Sequence, residues 1–202
     1  MINFRRAWIA TIAVSLSVIP ALAQKTWNNL AFGSSRDEVR AELAKQNLQM
    51  EFCKPPLSGR CSEGAWVVEP DWELNISKTF TLRFEPRLWF SGDKKLKDIV
   101  LDLDGGQLGD EKQAADDANF KMAAVPEIKE NLLRKYGTPI SETDACKADS
   151  QTIINSQSRL QCKMIWKDGA QVIEFHWDYL YPLMPPAMLV SIEYSAPTGG
   201  GL

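Results

Sequence analysis

The single histidine of the chain, His176, has a carboxylate two residues away on either side. Apolar and polar residues alternate here, which predicts a strand with Glu174, His176 and Asp178 on one face. A histidine between carboxylates can act as a general base in hydrolysis. No G-x-S-x-G or H-E-x-x-H motif accompanies the triplet, so we prefer to interpret it as an exposed strand face. We expect no enzyme, and a hydrolase that uses His176 is kept as an alternative.

The acidic residues, cysteines and glycines of the chain do not match the patterns of known cation or nucleotide sites. The acidic stretch from Asp102 has Gln107 at position six and Gln113 at position twelve, where a calcium loop needs Gly and a bidentate Glu. A zinc site is disfavoured by the single histidine and the absence of Cys-x-x-Cys. The glycine-rich segments lack the G-x-G-x-x-G and Walker patterns. We therefore expect no metal and no cofactor.

The four cysteines favour disulfides, because residues 1–23 have the pattern of a signal peptide and so indicate export. Three connectivities are possible. We favour Cys53–Cys61 and Cys146–Cys162, since each bond would close a short polar loop beside a predicted strand.

Aromatic and apolar residues occupy connections where polar residues are usual, above all in the segment 177–186. If they cluster at one end of a sheet, they form a surface for a partner protein. The alternative is that the segment folds over an open end of the core. The candidate partner-binding residues are Trp72, Trp89, Tyr179, Tyr181, Leu183 and Met184.

Residues 1–23 have the pattern of a signal peptide. Arg5 and Arg6 precede an apolar run, which ends in the cleavage motif Ala21-Leu-Ala23. No other stretch approaches the roughly 20 apolar residues of a membrane span. We expect a periplasmic or secreted protein with one domain at 24–196 and a flexible glycine-rich tail at 197–202.

Acids and bases are interspersed along the chain. The signal segment holds two of the 23 basic residues and none of the 26 acids, so the remaining chain carries five more acids than bases. This balance argues against nucleic acids and anionic membrane surfaces as partners.

Two helices are predicted from capping and periodicity. The first begins at Ser34 or Ser35, with acids in its first turn, and runs to about Gln46. The second covers 112–136, and Gly137 followed by Pro139 stops it. Pro126 predicts a break within this helix, either as a kink or as a fresh helix start.

Six segments have strand patterns: 65–69, 78–85, 95–103, 160–166, 173–177 and 188–194. A connection at 86–94 would join the second and third strands, and Asp168-Gly169 predicts a tight turn between two others. The order is helix, strands, helix, strands, without repeated strand–helix–strand units. We therefore expect an α+β fold with a mostly antiparallel sheet of five or six strands and helices on one face.

The pattern Trp27-x-x-Leu-x-Phe-Gly-x-Ser-x-x-Glu-Val39, with Lys135-Tyr-Gly-x-Pro139 and the hairpin at Trp166, covers about a third of the chain. It resembles small exported modules similar to the outer-membrane assembly lipoproteins and the beta-lactamase-inhibitor proteins. The resemblance implies helices paired with an antiparallel sheet and a role in binding other proteins. Residue 24 is Gln, so the chain lacks the lipid-acceptor cysteine of the lipoproteins.

Together these patterns predict a non-catalytic module that binds another envelope or extracellular protein. A second alternative, beside the hydrolase, is a carrier of a small apolar ligand between the sheet and the helices.

Overall fold

Nine strands form one antiparallel sheet in the computed structural model, which describes residues 27–53, 65–75, 81–104, 111–169, 171–180 and 187–196. The strands are β1 (Gln49–Phe52), β2 (Trp66–Glu69), β3 (Trp72–Asn75), β4 (Thr81–Phe90), β5 (Leu96–Leu103), β6 (Ser141–Glu142), β7 (Leu160–Asp168), β8 (Gln171–Leu180) and β9 (Ala187–Ser195). Their order across the sheet is β1-β2-β4-β5-β9-β8-β7-β6, and β3 pairs with β4 beside β2.

The described helices are α1 (Arg36–Ala44), α2 (Glu111–Tyr136) and the short α3 (Ser150–Ile154). Of the two predicted caps, Ser34 and Ser35, it is Ser35 that caps α1, and it forms a capping box with Glu38. Gly137 ends α2 in the left-handed region, with φ of +77°, and its N–H donates to the Leu133 carbonyl.

Both long helices lie on the same face of the sheet. Val39 and Leu43 of α1 are buried in the core, and α1 contacts β1. Ile128 and Leu132 of α2 are buried likewise, and α2 contacts β9 and β7. Alternation in the long strands predicts which of their residues point into the core, and these residues are buried there: Leu82, Phe84, Ile99, Leu101, Leu103, Cys162, Met164, Trp166, Ile173, Phe175, Trp177, Met188, Val190, Ile192 and Tyr194.

The sheet consists of two similar halves. Residues 27–104 give α1 followed by β1 to β5, and residues 111–196 give α2 followed by β6 to β9. In each half the first strand lies at an outer edge and the last strand lies at the centre, where β5 pairs antiparallel with β9. The strand order thus runs from an outer edge to the β5–β9 ladder in both halves.

The mixed helices and antiparallel sheet agree with the predicted fold class, but the predicted number of strands is wrong. The three additional strands are β1, β3 and β6, which are four, four and two residues long. Strands this short give at most a weak alternation signal. Pairing holds them in place: β1 pairs with β2, β3 with β4 and β6 with β7.

Pro86 lies within β4 and not in the predicted connection 86–94, so the prediction of that connection is wrong. The turn is the shorter segment Ser91–Lys94, where the Lys94 N–H donates to the Ser91 carbonyl over 2.8 Å. Pro86 lies beside the interruption between β2 and β3, because β3 pairs with β4 up to Phe84 and β2 pairs from Arg87 onwards. Neither β2 nor β3 pairs with β4 at Pro86, so the missing N–H breaks no hydrogen bond on that side and the strand tolerates the proline.

Of the two alternatives at Pro126, a kink or a fresh helix start, the fresh start is wrong, since α2 runs through Pro126 as one helix. Proline cannot donate a hydrogen bond to the Met122 carbonyl and its ring crowds that carbonyl, while the outer side of Pro126 is exposed. Buried residues on both sides, Met122, Val125 and Ile128, hold the two halves of the helix on the sheet. Tertiary packing therefore overrides the local preference.

The predicted bond Cys146–Cys162 is confirmed, with an S–S distance of 2.07 Å. Cys53 is also disulfide-bonded, and its predicted partner Cys61 lies outside the described residues. None of the helices in the described part of the chain has the length and apolar character of a membrane span. The predicted signal peptide and tail also lie outside the described residues.

Candidate functional site

The described aromatic candidates do not form one surface. Trp72 pairs with Phe84 and lies on the helix-covered face, whereas Trp89 pairs with Asp98 and lies on the opposite face. Tyr179 is a core residue with only 4% of its surface exposed. The remaining candidates, Tyr181, Leu183 and Met184, lie outside the described residues.

The face opposite the helices carries most of the polar groups of the sheet. We call it the open face and define it by strands β4, β5, β9, β8 and β7, whose register brings these side chains together. Along β8 and β9 the side chains of this face are mostly half-buried, while those between them are buried under the helices. The open face includes Arg83, Glu85, Arg87, Trp89, Asp98, Val100, Asp102, Gln161, Lys163, Ile165, Lys167, Val172, Glu174, His176, Asp178, Leu189, Ser191, Glu193 and Ser195.

The predicted triplet lies on this face, and cations bind both of its carboxylates. The Lys163 Nζ lies 2.6 Å from Glu174 Oε2. Arg159 Nε donates to Asp178 Oδ1 over 2.9 Å, and Gln161 Nε2 donates to Oδ2 over 3.2 Å. The hydrogen bond from Arg159 lowers the pKa of Asp178, although burial acts to raise it. The two carboxylates are therefore fixed as ion-pair partners.

Ser191 of β9 lies directly opposite His176, a neighbour that sequence reasoning missed. Only the strand register places these two residues together, since fifteen positions separate them in the chain. A serine beside a histidine is chemically usable, but activation requires a hydrogen bond between them. Within the described residues no hydrogen bond joins their side chains. The arrangement is thus a polar contact between neighbouring strands.

A second set of ion pairs lies on the β4–β5 side of the open face. The Arg87 guanidinium pairs with Asp102 and lies 3.7 Å from Glu85 Oε1. Burial raises the pKa of Asp102, and the positive charges of Arg87 and Lys121 act against this rise. Long side chains held by partners in this way present a fixed arrangement of charges.

The centre of the open face has excess negative charge. Glu193 on β9 lies opposite Glu174 and, on its other side, opposite Val100. Burial raises the pKa of Glu193, and Asp98 and Glu174 raise it further, against the charges of Lys163 and Lys97. A cation placed near Glu193 would relieve this repulsion.

Within the described residues, no group of three or more His, Cys, Asp or Glu side chains is arranged to hold a metal ion. A smaller aromatic group lies at the β2 end of the covered face, where the Arg36 guanidinium lies 5.1 Å from the Trp66 ring centroid and 5.4 Å from that of Phe90. Phe52 packs edge-on against Trp66 and is 44% exposed. This group is mainly aromatic, whereas the open face is mainly polar.

Comparison of the chain with protein-family models, curated proteins and solved structures gave no match.

Proposed function

We propose that the protein is a non-catalytic module whose open face binds a partner protein with a basic surface. One observation carries the proposal: five adjacent strands present a polar face whose centre carries the neighbouring carboxylates Glu174 and Glu193. The strands of this face contribute six carboxylates, of which Glu85 and Asp178 are buried, and the cations Arg83, Arg87, Lys163 and Lys167. A partner with exposed Lys and Arg side chains would be complementary.

The size of the open face supports this role. Five strands spaced about 4.8 Å apart, with about seven residues each, span roughly 24 by 23 Å. The resulting area is on the order of 550 Å², compared with about 800 Å² per partner in a standard interface. A partner that covers the face and its rim would therefore reach the standard size.

The ion pairs of the open face support binding in a second way. Arg87 with Asp102, Lys163 with Glu174 and Arg159 with Asp178 hold their side chains in place before any partner arrives. Ordering a side chain on binding costs about 0.5–1.5 kcal/mol, so side chains that are already ordered reduce the cost of association.

The disulfide and the predicted signal peptide support a periplasmic or extracellular location. Disulfides such as Cys146–Cys162 persist in the periplasm and outside the cell. The partner is accordingly an envelope or extracellular protein.

A photo-crosslinking residue at Ser191 tests the proposal, with Glu127 on the exposed side of α2 as the control position. We expect a specific partner to crosslink from position 191 and not from 127. Once that partner is purified, Glu193→Lys should weaken binding at least tenfold, and added salt should weaken binding of the wild type. Glu130→Lys on α2 is the matched charge change and should leave the affinity unaltered. Crosslinks from 127 alone, or equal affinity of Glu193→Lys and wild type, would refute the role of the open face.

A further inference from the structure

A cavity of about 420 Å³ lies on the helix-covered side of the sheet, between β3, the C-terminal half of α2 and β9. Ligand sites in proteins commonly measure about 300–1,000 Å³. The residues that line it are Trp72, Leu74, Ile128, Asn131, Leu132, Arg134, Lys135, Ile192 and Tyr194.

Most of the lining is apolar and fixed by packing. Ile128 and Ile192 are buried core residues. The Trp72 ring stacks edge-on against Trp27 at 6.1 Å between centroids and lies 5.6 Å from the ring of Phe84. This part of the cavity is preformed and suits a hydrocarbon chain.

The charged residues of the lining, Arg134 and Lys135, both lie on α2. Arg134 and Lys135 lie in the last turn of the helix, and Asn131 lies one turn before them. Arg134 pairs with Glu130 at 3.1 Å, but both side chains are largely exposed, so this pair adds little. Lys135 has no ion pair among the described residues. The helix C-terminus carries only about half a negative charge, so the two cations dominate there.

We infer that this cavity binds the hydrocarbon chain of an amphiphile whose carboxylate lies beside Lys135 and Arg134. Each buried methylene contributes through the hydrophobic effect, and the carboxylate fixes the orientation of the chain. The site lies on the opposite face of the sheet from the open face, so it does not depend on the proposed protein binding.

Calorimetric titration of the full-length protein with dodecanoate, after removal of bound lipid, tests the inference. We expect saturable binding of one molecule per chain. Dodecyltrimethylammonium has the same chain and the opposite charge, and it should bind at least tenfold more weakly. Equal binding of the two probes would refute the carboxylate preference, and no saturable binding of dodecanoate would refute the site.

Variants locate the binding in the cavity. Asn131→Trp fills it from the exposed side of α2 and should reduce affinity at least tenfold, and Leu74→Trp fills it from β3 and should do the same. Lys135→Glu should weaken dodecanoate binding severalfold, whereas Lys112→Glu, about six turns away on α2, should not. Wild-type affinity in the folded tryptophan variants, checked by circular dichroism, would overturn the inference.

Discussion

Glu193 of β9 lies directly opposite Glu174 of β8, so two carboxylates occupy neighbouring positions at the centre of the open face. Lys163 binds Glu174, and Glu193 is left with a raised pKa between two acids. Like charges opposite each other in a sheet are destabilising. This relationship therefore has a measurable effect on stability.

Replacing Glu193 with Gln should raise the free energy of unfolding at pH 7 by about 0.5 kcal/mol, because it removes this repulsion. The folded-state pKa of Glu193 is raised, so the ionised carboxylate destabilises the fold above that pKa. The advantage of Gln should disappear as the pH falls through that pKa to the ordinary glutamate value. Urea unfolding between pH 4 and 8 measures this, with the exposed Glu127→Gln as control. An advantage independent of pH would contradict the assignment to Glu193.

Replacing Arg159 with Met should lower the free energy of unfolding at pH 7 by more than the loss of an exposed ion pair does, since it leaves the buried Asp178 carboxylate without its charged partner. Arg159 is half-exposed, so the loss stays below that of a fully buried pair. The pKa of Asp178 is lowered, so its stabilisation is complete above the ordinary aspartate value and is lost as the pH falls through the lowered pKa. The difference from wild type should vanish in acid. Arg134→Met breaks an exposed pair and should change stability by less than about 0.5 kcal/mol.

Replacing Cys146 and Cys162 together with Ala should lower the free energy of unfolding by about 3 kcal/mol, as expected for a bond across 16 residues. Alanine avoids burying a hydroxyl, because both positions are buried. Urea unfolding of the double variant is preferable to reduction, since a reductant would also break the bond of Cys53. A loss below about 1 kcal/mol would mean that the loop between β6 and β7 is already ordered without the bond.

Replacing Pro126 with Ala should raise the free energy of unfolding by about 2 kcal/mol. Proline inside a helix costs about 3 kcal/mol relative to alanine. Alanine restores a hydrogen bond to the Met122 carbonyl. It also makes the unfolded chain more flexible than proline does, which lowers the stability by up to about 1 kcal/mol. Thermal and urea unfolding give the sign, and a destabilised Pro126→Ala would show that the packing of α2 requires the proline.

The elements that local chemistry controls were predictable from the sequence. The cap at Ser35, the stop at Gly137 and the turn at Gly169 each follow from residues within a few positions. The inward faces of the long strands follow from alternation. The residues of β1, β3 and β6 show no such signal. These strands form because they pair with neighbouring strands.

The candidate site was predictable only in part. Alternation placed Glu174, His176 and Asp178 on one face, which the β8 pairing agrees with. The neighbours of these residues, Glu193 and Ser191, depend on the register between β8 and β9, and no local signal encodes that register. The same applies to the cavity, which β3 and the distant α2 enclose together.

The β5–β9 ladder at the centre of the sheet determines what happens when the chain is divided. A fragment of residues 27–104 would expose the long edge of β5, and a fragment of residues 111–196 would expose the edge of β9. Free edges of this length are templates for pairing with another chain. Co-expressed fragments should therefore reassemble through the same ladder, while each fragment alone should self-associate through its open edge.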